Sequence, residues 1–207
     1  MRKRKAVLAA ALAAGMLTGC AGSGEAFEPE SSSIYISGEG KLSTATIDTF
    51  EQKDYYKEEG LRAFAEEKVS EFNQEYGQEA VTLTSCSLEG GRAELVFEYG
   101  SPQAMVDFTA ASQDMENQVN SISFGTVTEL ADQIMGYEGS WLKGADKKTV
   151  SVEEIAKKGD YQVAVIDSAQ PVTIHTEKEI RFVSDNSVLE GSNKVRTSEG
   201  INYIIFK

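Results

Sequence analysis

Short apolar runs joined by glycine-containing turns are the feature that most constrains the fold of this chain. Two pairs of these runs are close enough in sequence to form β-hairpins, which are residues 34–36 with 41–47 and residues 81–86 with 93–99. In the second hairpin, alternate residues of the return strand are apolar, so one face of the strand is expected to point inward. The sequence therefore predicts two antiparallel hairpins in the first part of the chain.

A helix is predicted between the two hairpins. Its apolar residues recur at three- and four-residue spacing, which places them on one helix face that is expected to pack against the core. Glycine at position 77 is a typical residue after a helix C-terminus. The predicted core face consists of Leu61, Phe64, Ala65, Val69, Phe72 and Tyr76. The glutamates are predicted to form a solvated face and not a calcium site, because no calcium-loop motif contains them: Glu58, Glu59, Glu66, Glu67, Glu71 and Glu75.

Helix-start signals recur further along the chain. Ser101-Pro102 is a typical helix opening, and capping-box sequences begin at Thr126 and at Ser151. From residue 161 onward the chain is rich in short apolar runs and turns, which predicts strands. The predicted fold class is therefore α+β, with hairpins and packed amphipathic helices followed by a smaller β-rich part.

The glycine- and charge-rich residues 137–148 are predicted to connect two domains. On this division, residues 34–136 form the α+β domain and residues 149–207 form the β-rich domain. Residues 20–33 precede both and are rich in glycine, serine and glutamate, so they are predicted to be a flexible acidic tether.

The chain begins with four basic residues and a twelve-residue apolar run that ends at Leu17. A membrane-spanning helix needs ~20 residues, so residues 1–19 are predicted to be a signal peptide. The sequence Leu17-Thr18-Gly19-Cys20 follows this run and resembles the lipobox of bacterial lipoproteins. The layout of the whole chain resembles small surface lipoproteins of Gram-positive anaerobes. This resemblance implies cleavage before Cys20, lipidation of its sulfur, and a membrane anchor at the extracytoplasmic face of the cell envelope.

The net charge argues against nucleic acid as a partner. Loss of the four basic residues of the signal peptide lowers the formal charge from −13 to −17. Such a surface repels phosphate backbones and anionic lipid headgroups, so the lipid on Cys20 is the expected membrane contact.

The chain is poor in the residues that most often carry catalysis. His175 is the one histidine, and Cys86 is the one cysteine besides Cys20, so a disulfide within the lipidated protein is not expected. His175 is predicted to face solvent from a strand, and Cys86 to share a strand face with Thr82 and Thr84. The sequence predicts no catalytic residue, no metal site and no cofactor.

One set of short motifs resembles the serine penicillin-recognising enzymes, but the resemblance fails. Residues 140–143 fit S-x-x-K, residues 184–186 spell S-D-N, and residues 148–150 approach K-T-G. The motifs occur in the wrong order, Val150 replaces the glycine that substrate requires, and the chain is too short for that fold.

Tyr137 and Trp141 are the candidate ligand-binding residues, because exposed aromatics in a connector can stack on a sugar or a peptide. Packing between the two parts of the chain is the other interpretation of these two residues. The sequence therefore predicts a lipid-anchored, non-enzymatic module that binds an unknown protein, small molecule or glycan at the cell envelope. The alternative is an envelope hydrolase that uses a pair of acidic residues.

Overall fold

The computed structural model describes residues 27, 29–51, 53, 56–144 and 146–207. The predicted signal peptide, the lipobox and Cys20 lie outside these residues. In chain order, the strands are β1 (Ser33–Ile36), β2 (Leu42–Thr49), β3 (Val81–Glu89), β4 (Arg92–Tyr99), β5 (Ser121–Thr126), β6 (Trp141–Lys143), β7 (Lys148–Val150), β8 (Gln162–Ser168), β9 (Thr173–Thr176), β10 (Ile180–Ser184), β11 (Val188–Leu189), β12 (Lys194–Arg196) and β13 (Gly200–Phe206). The helices are α1 (Glu58–Tyr76), α2 (Pro102–Ala111), α3 (Ala131–Met135) and α4 (Val152–Ala156).

Sheet A has seven strands in the order β11-β12-β9-β1-β2-β4-β3. All its neighbours pair antiparallel except β1 and β9, which pair parallel. Period-2 alternation along each strand gives the sheet an apolar inner face and a polar outer face. One row of paired residues on the inner face is Val195, Ile174, Ile34, Thr44, Phe97 and Leu83. The adjacent outer row is Lys194, His175, Tyr35, Ser43, Glu98 and Thr82.

Sheet B has six strands in the order β5-β8-β13-β10-β6-β7, all antiparallel. Both of its faces are apolar, because each face is covered by another layer. The face toward sheet A carries the paired row Phe124, Ala164, Ile204, Val183 and Leu142. The opposite face carries Val163, Ile205, Phe182 and Trp141.

Two hydrophobic cores follow from this arrangement. The larger core lies between the sheets and combines residues of both, such as Ile34 and Ile174 from sheet A with Ile166 and Phe206 from sheet B. The smaller core lies on the other face of sheet B, where α3 contributes Ile134 and α4 contributes Ile155. The molecule is therefore a β-sandwich with short helices over its second sheet.

Helices α1 and α2 pack on the inner side of sheet A at its β3–β4 end. Ala65, Val69 and Phe72 of α1 contact the larger core, together with Met105 and Phe108 of α2. Helix α2 also contacts β5, so it lies between α1 and sheet B.

The predicted α+β class is wrong, because the structure is mostly β with 22% helix and 39% strand. Apart from α1 the helices are short, because α2 has ten residues and α3 and α4 have five each. The residues interpreted as a connector contain strand β6 and the first residue of strand β7. Pairing between distant strands then builds two large sheets, which no local pattern reveals.

Several predicted elements are confirmed by the structure. Both hairpins form, and α1 covers the predicted span. The Ser101 hydroxyl accepts a hydrogen bond from the Ala104 N–H at 3.1 Å and so caps α2. Thr126 and Glu129 exchange the predicted capping-box bonds, although α3 begins only at Ala131.

The two predicted parts of the chain contribute strands to both sheets. Strand β1 pairs with β9, and β5 pairs with β8, so each pairing joins residues on opposite sides of residues 137–148. Within residues 137–148, β6 lies between β10 and β7.

Residues 29–32, which the sequence assigns to the tether, contact sheet A. Pro29 is buried, and its carbonyl accepts a hydrogen bond from Arg92 Nη2 at 2.8 Å. Ser32 and Ile47 exchange two hydrogen bonds, of 3.2 and 2.9 Å. Just before this segment, the Phe27 ring stacks on Tyr35 of the outer face, with ring centroids 4.8 Å apart. Among the described helices, none is long and apolar enough to cross a membrane.

Candidate functional site

A row of side chains on α1 includes two exposed aromatic rings. Phe64, Lys68, Phe72 and Tyr76 follow one another at four-residue spacing, which places them along one side of the helix. Phe64 is 57% exposed and Tyr76 is 41% exposed, although both belong to the predicted core face. We call these four residues the aromatic ridge.

The aromatic ridge borders a groove between α1 and α2. Phe72 contacts Phe108 of α2 edge-on at 5.3 Å between ring centroids, and Tyr76 stacks on Phe72 at 4.8 Å. Phe108 is buried and contacts Phe97 of sheet A, so the floor of the groove is anchored in the larger core. The groove is open to solvent and has a volume of about 400 Å³.

Charged side chains form the rim of this groove. Lys68 Nζ lies 2.7 Å from Glu71 Oε2 and 5.9 Å from the centroid of the Phe64 ring. The hydrogen bond and charge of Glu71 raise the pKa of Lys68, so the ammonium stays charged. Glu75 also lines the groove and is exposed.

Helix α2 contributes a further carboxylate near the end of the aromatic ridge. Partial burial, together with the hydrogen bond and charge of Asp107, raises the pKa of Tyr76. Asp107 is held in place by Gln103, whose Nε2 donates to Asp107 Oδ1 at 2.9 Å. The groove therefore combines an apolar aromatic floor with an acidic rim, a combination that suits binding more than bond cleavage.

The structure brings the two predicted ligand-binding residues, Tyr137 and Trp141, into contact. Their ring centroids are 5.3 Å apart, and both rings contact Tyr203 of β13. Trp141 is only 2% exposed and belongs to the smaller core, so its ring face is not accessible to a ligand. Its indole N–H is buried and has no hydrogen-bond partner among the residues that the structure describes.

Tyr137 is half-buried and fixes a neighbouring carboxylate. Its hydroxyl donates to Asp185 Oδ1 at 2.7 Å, and the Ser140 N–H donates to Asp185 Oδ2 at 2.9 Å. These two bonds lower the pKa of Asp185, while burial and the Asp185 carboxylate raise the pKa of Tyr137 to about 12. Nearby, Lys143 donates to Glu154 at 3.1 Å, so the lysine of the S-x-x-K sequence is used in a surface ion pair.

Cys86 and His175 lie far apart on opposite faces of sheet A. His175 is on the outer face of β9, whereas Cys86 is on β3, four strands away, which corresponds to ~19 Å. The predicted face of Cys86 is wrong, because a β-bulge between Leu83 and Ser85 turns Cys86 toward the inner face. Burial raises the pKa of its thiol.

His175 is half-buried, because the Phe27 ring contacts it at 5.7 Å between ring centroids. This burial, followed by the charge of Lys194, lowers the pKa of His175. Its surroundings therefore favour a neutral imidazole, and nothing among its described neighbours pairs it with a nucleophile.

The sequence contained one signal for the aromatic ridge that the prediction did not use. At about 100° per residue, the six apolar residues of α1 span about 140° of the helix, and Phe64 lies at one edge of that arc. The structure leaves Phe64 exposed at this edge and Tyr76 exposed at the last residue of the helix.

Within the described part of the chain, no group of three or more histidine, cysteine, aspartate or glutamate side chains could hold a metal ion. Comparisons with protein families, with curated proteins and with solved structures found no match for this chain.

Proposed function

We propose that this protein is a lipid-anchored module that binds a ligand or partner outside the cytoplasm, and that the groove between α1 and α2 is its binding surface. The observation that carries the proposal is the open groove lined by Phe72 and Phe108, with exposed Phe64 and Tyr76 at the two ends of the aromatic ridge that borders it. Exposing a large aromatic side chain to water costs free energy, and the two exposed rings flank the apolar surface of the groove.

A lipid anchor on Cys20 would leave the groove between α1 and α2 accessible to a partner. Phe27 lies on the outer face of sheet A, whereas α1 packs on the inner face. The seven residues from Cys20 to Phe27 span at most ~25 Å. A lipid on Cys20 therefore holds the outer face near the membrane and leaves the α1–α2 groove on the other side of the sheet.

The described carboxyl groups with displaced pKa values supply no candidate for a general acid. Each of them has a pKa below its ordinary value, because each accepts hydrogen bonds: Glu129, Glu153, Asp160, Glu177 and Asp185. A general acid of a hydrolase needs a raised pKa, which is the opposite direction.

The binding surface is tested with a photo-crosslinking phenylalanine analogue placed at position 64 of the full chain in cells. The matched control carries the analogue at position 201, because Ile201 is 51% exposed on β13 and far from the groove in sequence. We expect a discrete crosslinked species at position 64 and none at position 201. Equal crosslinking at both positions, or none at either, contradicts the proposal.

The anchor is tested by labelling cells with a fatty-acid analogue. The parent chain should carry the label, and the Cys20→Ser chain should not, because the sulfur that receives the lipid is absent. Label that persists on the Cys20→Ser chain contradicts the lipoprotein assignment.

A further inference from the structure

We propose that the groove between α1 and α2 binds a basic amphipathic helix. In this complex the partner presents apolar side chains to the aromatic floor and lysine or arginine to the acidic rim. The inference rests on the proposed function of the groove and adds the chemical class of the partner.

The aromatic ridge and the groove beside it are long enough for a short helix, since the groove lining on α1 runs from Lys68 to Glu75, about two helical turns. From Phe64 to Tyr76 the aromatic ridge advances twelve residues, or ~18 Å at 1.5 Å per residue. This length equals about three helical turns, over which a bound helix offers apolar residues at three- and four-residue spacing. The groove itself lies between two helices, where the side chains of a third can interdigitate.

The charge of the rim selects a basic partner. Glu71 and Glu75 line the groove, and Asp107 lies near Tyr76, whereas Lys68 is the one cation among the lining residues that the structure describes. Glu71 already pairs with that ammonium, and the charge of Glu67 adds to its negative surroundings. Complementary charge attracts a basic helix and repels an acidic one.

The exposed ring of Phe64 provides a second contact for cations. Lys68 Nζ lies 5.9 Å from the centroid of this ring, so the ring already accepts a positive charge. An arginine of the partner is suited to the same kind of contact, because its planar guanidinium stacks on aromatic faces. Phe64 thus contributes both apolar area and a site for the positive charge of the partner.

Three model peptides of the same length and helical pattern test the inference. Each has leucine at the apolar positions, and the polar positions carry lysine, glutamine or glutamate. The full chain is immobilised through its C-terminus on a biosensor, and each variant is measured beside the parent. The parent and the variants share the same apolar N-terminal segment. Any peptide that binds to this segment therefore adds the same signal to each measurement and does not affect the difference between them.

Two variants remove features of the groove without disturbing the core. Phe64→Ser removes the most exposed aromatic ring, and Glu71→Gln with Glu75→Gln removes two rim charges from exposed positions. Matched controls remove an equally exposed apolar residue, by Ile201→Ser, or two distant exposed charges, by Asp132→Asn with Glu199→Gln. Thermal unfolding of every variant verifies that the fold is retained.

We expect the lysine peptide to bind the parent and to bind about tenfold more weakly to each groove variant, with the controls unchanged within about twofold. Its affinity should fall as salt is added, because the rim is exposed. Equal weakening by the distant charge pair contradicts a local site and overturns the inference.

Two other outcomes separate the partner class from the function of the groove. If the glutamine peptide binds as well as the lysine peptide and this binding still depends on Phe64, the groove is a binding surface and the basic class is wrong. If no peptide distinguishes the parent from Phe64→Ser, the helical partner is wrong, and crosslinking at position 64 decides separately whether the groove binds at all.

Discussion

At the scale of single residues, Asn117 holds the loop between α2 and β5 against sheet A. Its side chain is fully buried, and its Nδ2 donates to the Ala45 carbonyl at 3.0 Å and to Asp114 Oδ2 at 2.9 Å. Asp114 also accepts a hydrogen bond from Thr46 at 2.6 Å. Since this loop crosses between the two sheets, the amide of Asn117 connects the end of α2 to the sandwich.

We expect Asn117→Ala to lower the free energy of unfolding by about 2 kcal/mol, because the buried Ala45 carbonyl and Asp114 carboxylate each lose a donor. Urea unfolding measures the effect. The control is Asn120→Ala, whose exposed amide donates at 3.3 Å to Asp167, and it should change stability by less than about 0.5 kcal/mol. If both variants lose the same free energy of unfolding, the buried hydrogen bonds of the Asn117 amide contribute no more stability than the exposed bond of Asn120.

A second residue-scale prediction concerns the dependence of stability on pH. The hydrogen bonds from Tyr137 and Ser140 lower the pKa of Asp185 in the folded state. The resulting stabilisation is therefore complete above the unfolded pKa, near 3.9, and is lost as the pH falls through the lower folded value. Tyr137→Phe removes the larger of these effects.

The stability difference between the parent and Tyr137→Phe should be below about 1 kcal/mol at pH 7, because Asp185 is exposed, and it should shrink further as the pH falls below about 3.9. Urea unfolding of both proteins at several pH values measures this difference. If the difference stays constant across the acid range, the bond between Tyr137 and Asp185 does not depend on the ionised carboxylate.

At the scale of elements, the sequence predicts what short-range signals specify. The two hairpins and α1 were predicted because a turn or a helix period is contained within a few residues. The parallel pairing of Tyr35 with His175 joins residues 140 positions apart, and no local pattern encodes it. The sandwich was missed for this reason, even though most of its strands were recognised.

The same distinction applies to the candidate site. Periodicity placed Phe64 and Tyr76 correctly on the apolar side of α1, but only the packing of α1 against sheet A shows which part of that side is buried. For Trp141 the error has the opposite direction. Its glycine-rich neighbourhood predicts an exposed ring, but the pairing of β6 with β10 buries this ring.

Helix α1 also protects the edge of sheet A, and this role can be tested. Asn73 accepts a hydrogen bond from the Val81 N–H at 3.0 Å and donates to the Val81 carbonyl at 2.8 Å, so it pairs with β3 as a further strand would. Asn73→Ala should lower the free energy of unfolding by about 1–2 kcal/mol. It should also accelerate hydrogen exchange of the Val81 amide, measured by NMR.

The control for this variant is Gln74→Ala on the same helix, because the exposed Gln74 side chain contacts only Ser70 among its described hydrogen-bond partners, at 3.3 Å. It should leave exchange at Val81 unchanged. Equal acceleration by both variants would indicate a general loosening of α1 and not a loss of edge pairing.

At the scale of the whole molecule, the two sheets join the parts that the sequence divides at residues 137–148. Strand β1 pairs with β9, β5 pairs with β8, and the larger core contains residues from both parts. Because both parts contribute strands to both sheets, unfolding of either part leaves both sheets incomplete. Shared sheets of this kind favour one cooperative unfolding transition.

The single tryptophan makes that expectation measurable. Trp141 is buried in the smaller core on β6, so its fluorescence reports on the second sheet, whereas far-UV circular dichroism averages over both sheets and α1. We expect the two signals to change with one midpoint during urea unfolding, because loss of sheet B removes one wall of the larger core. Phe64→Ser should leave this midpoint in place, since Phe64 is exposed. Two separated transitions, with Trp141 fluorescence changing in one and most of the dichroism in the other, would instead support independent domains at residues 34–136 and 149–207.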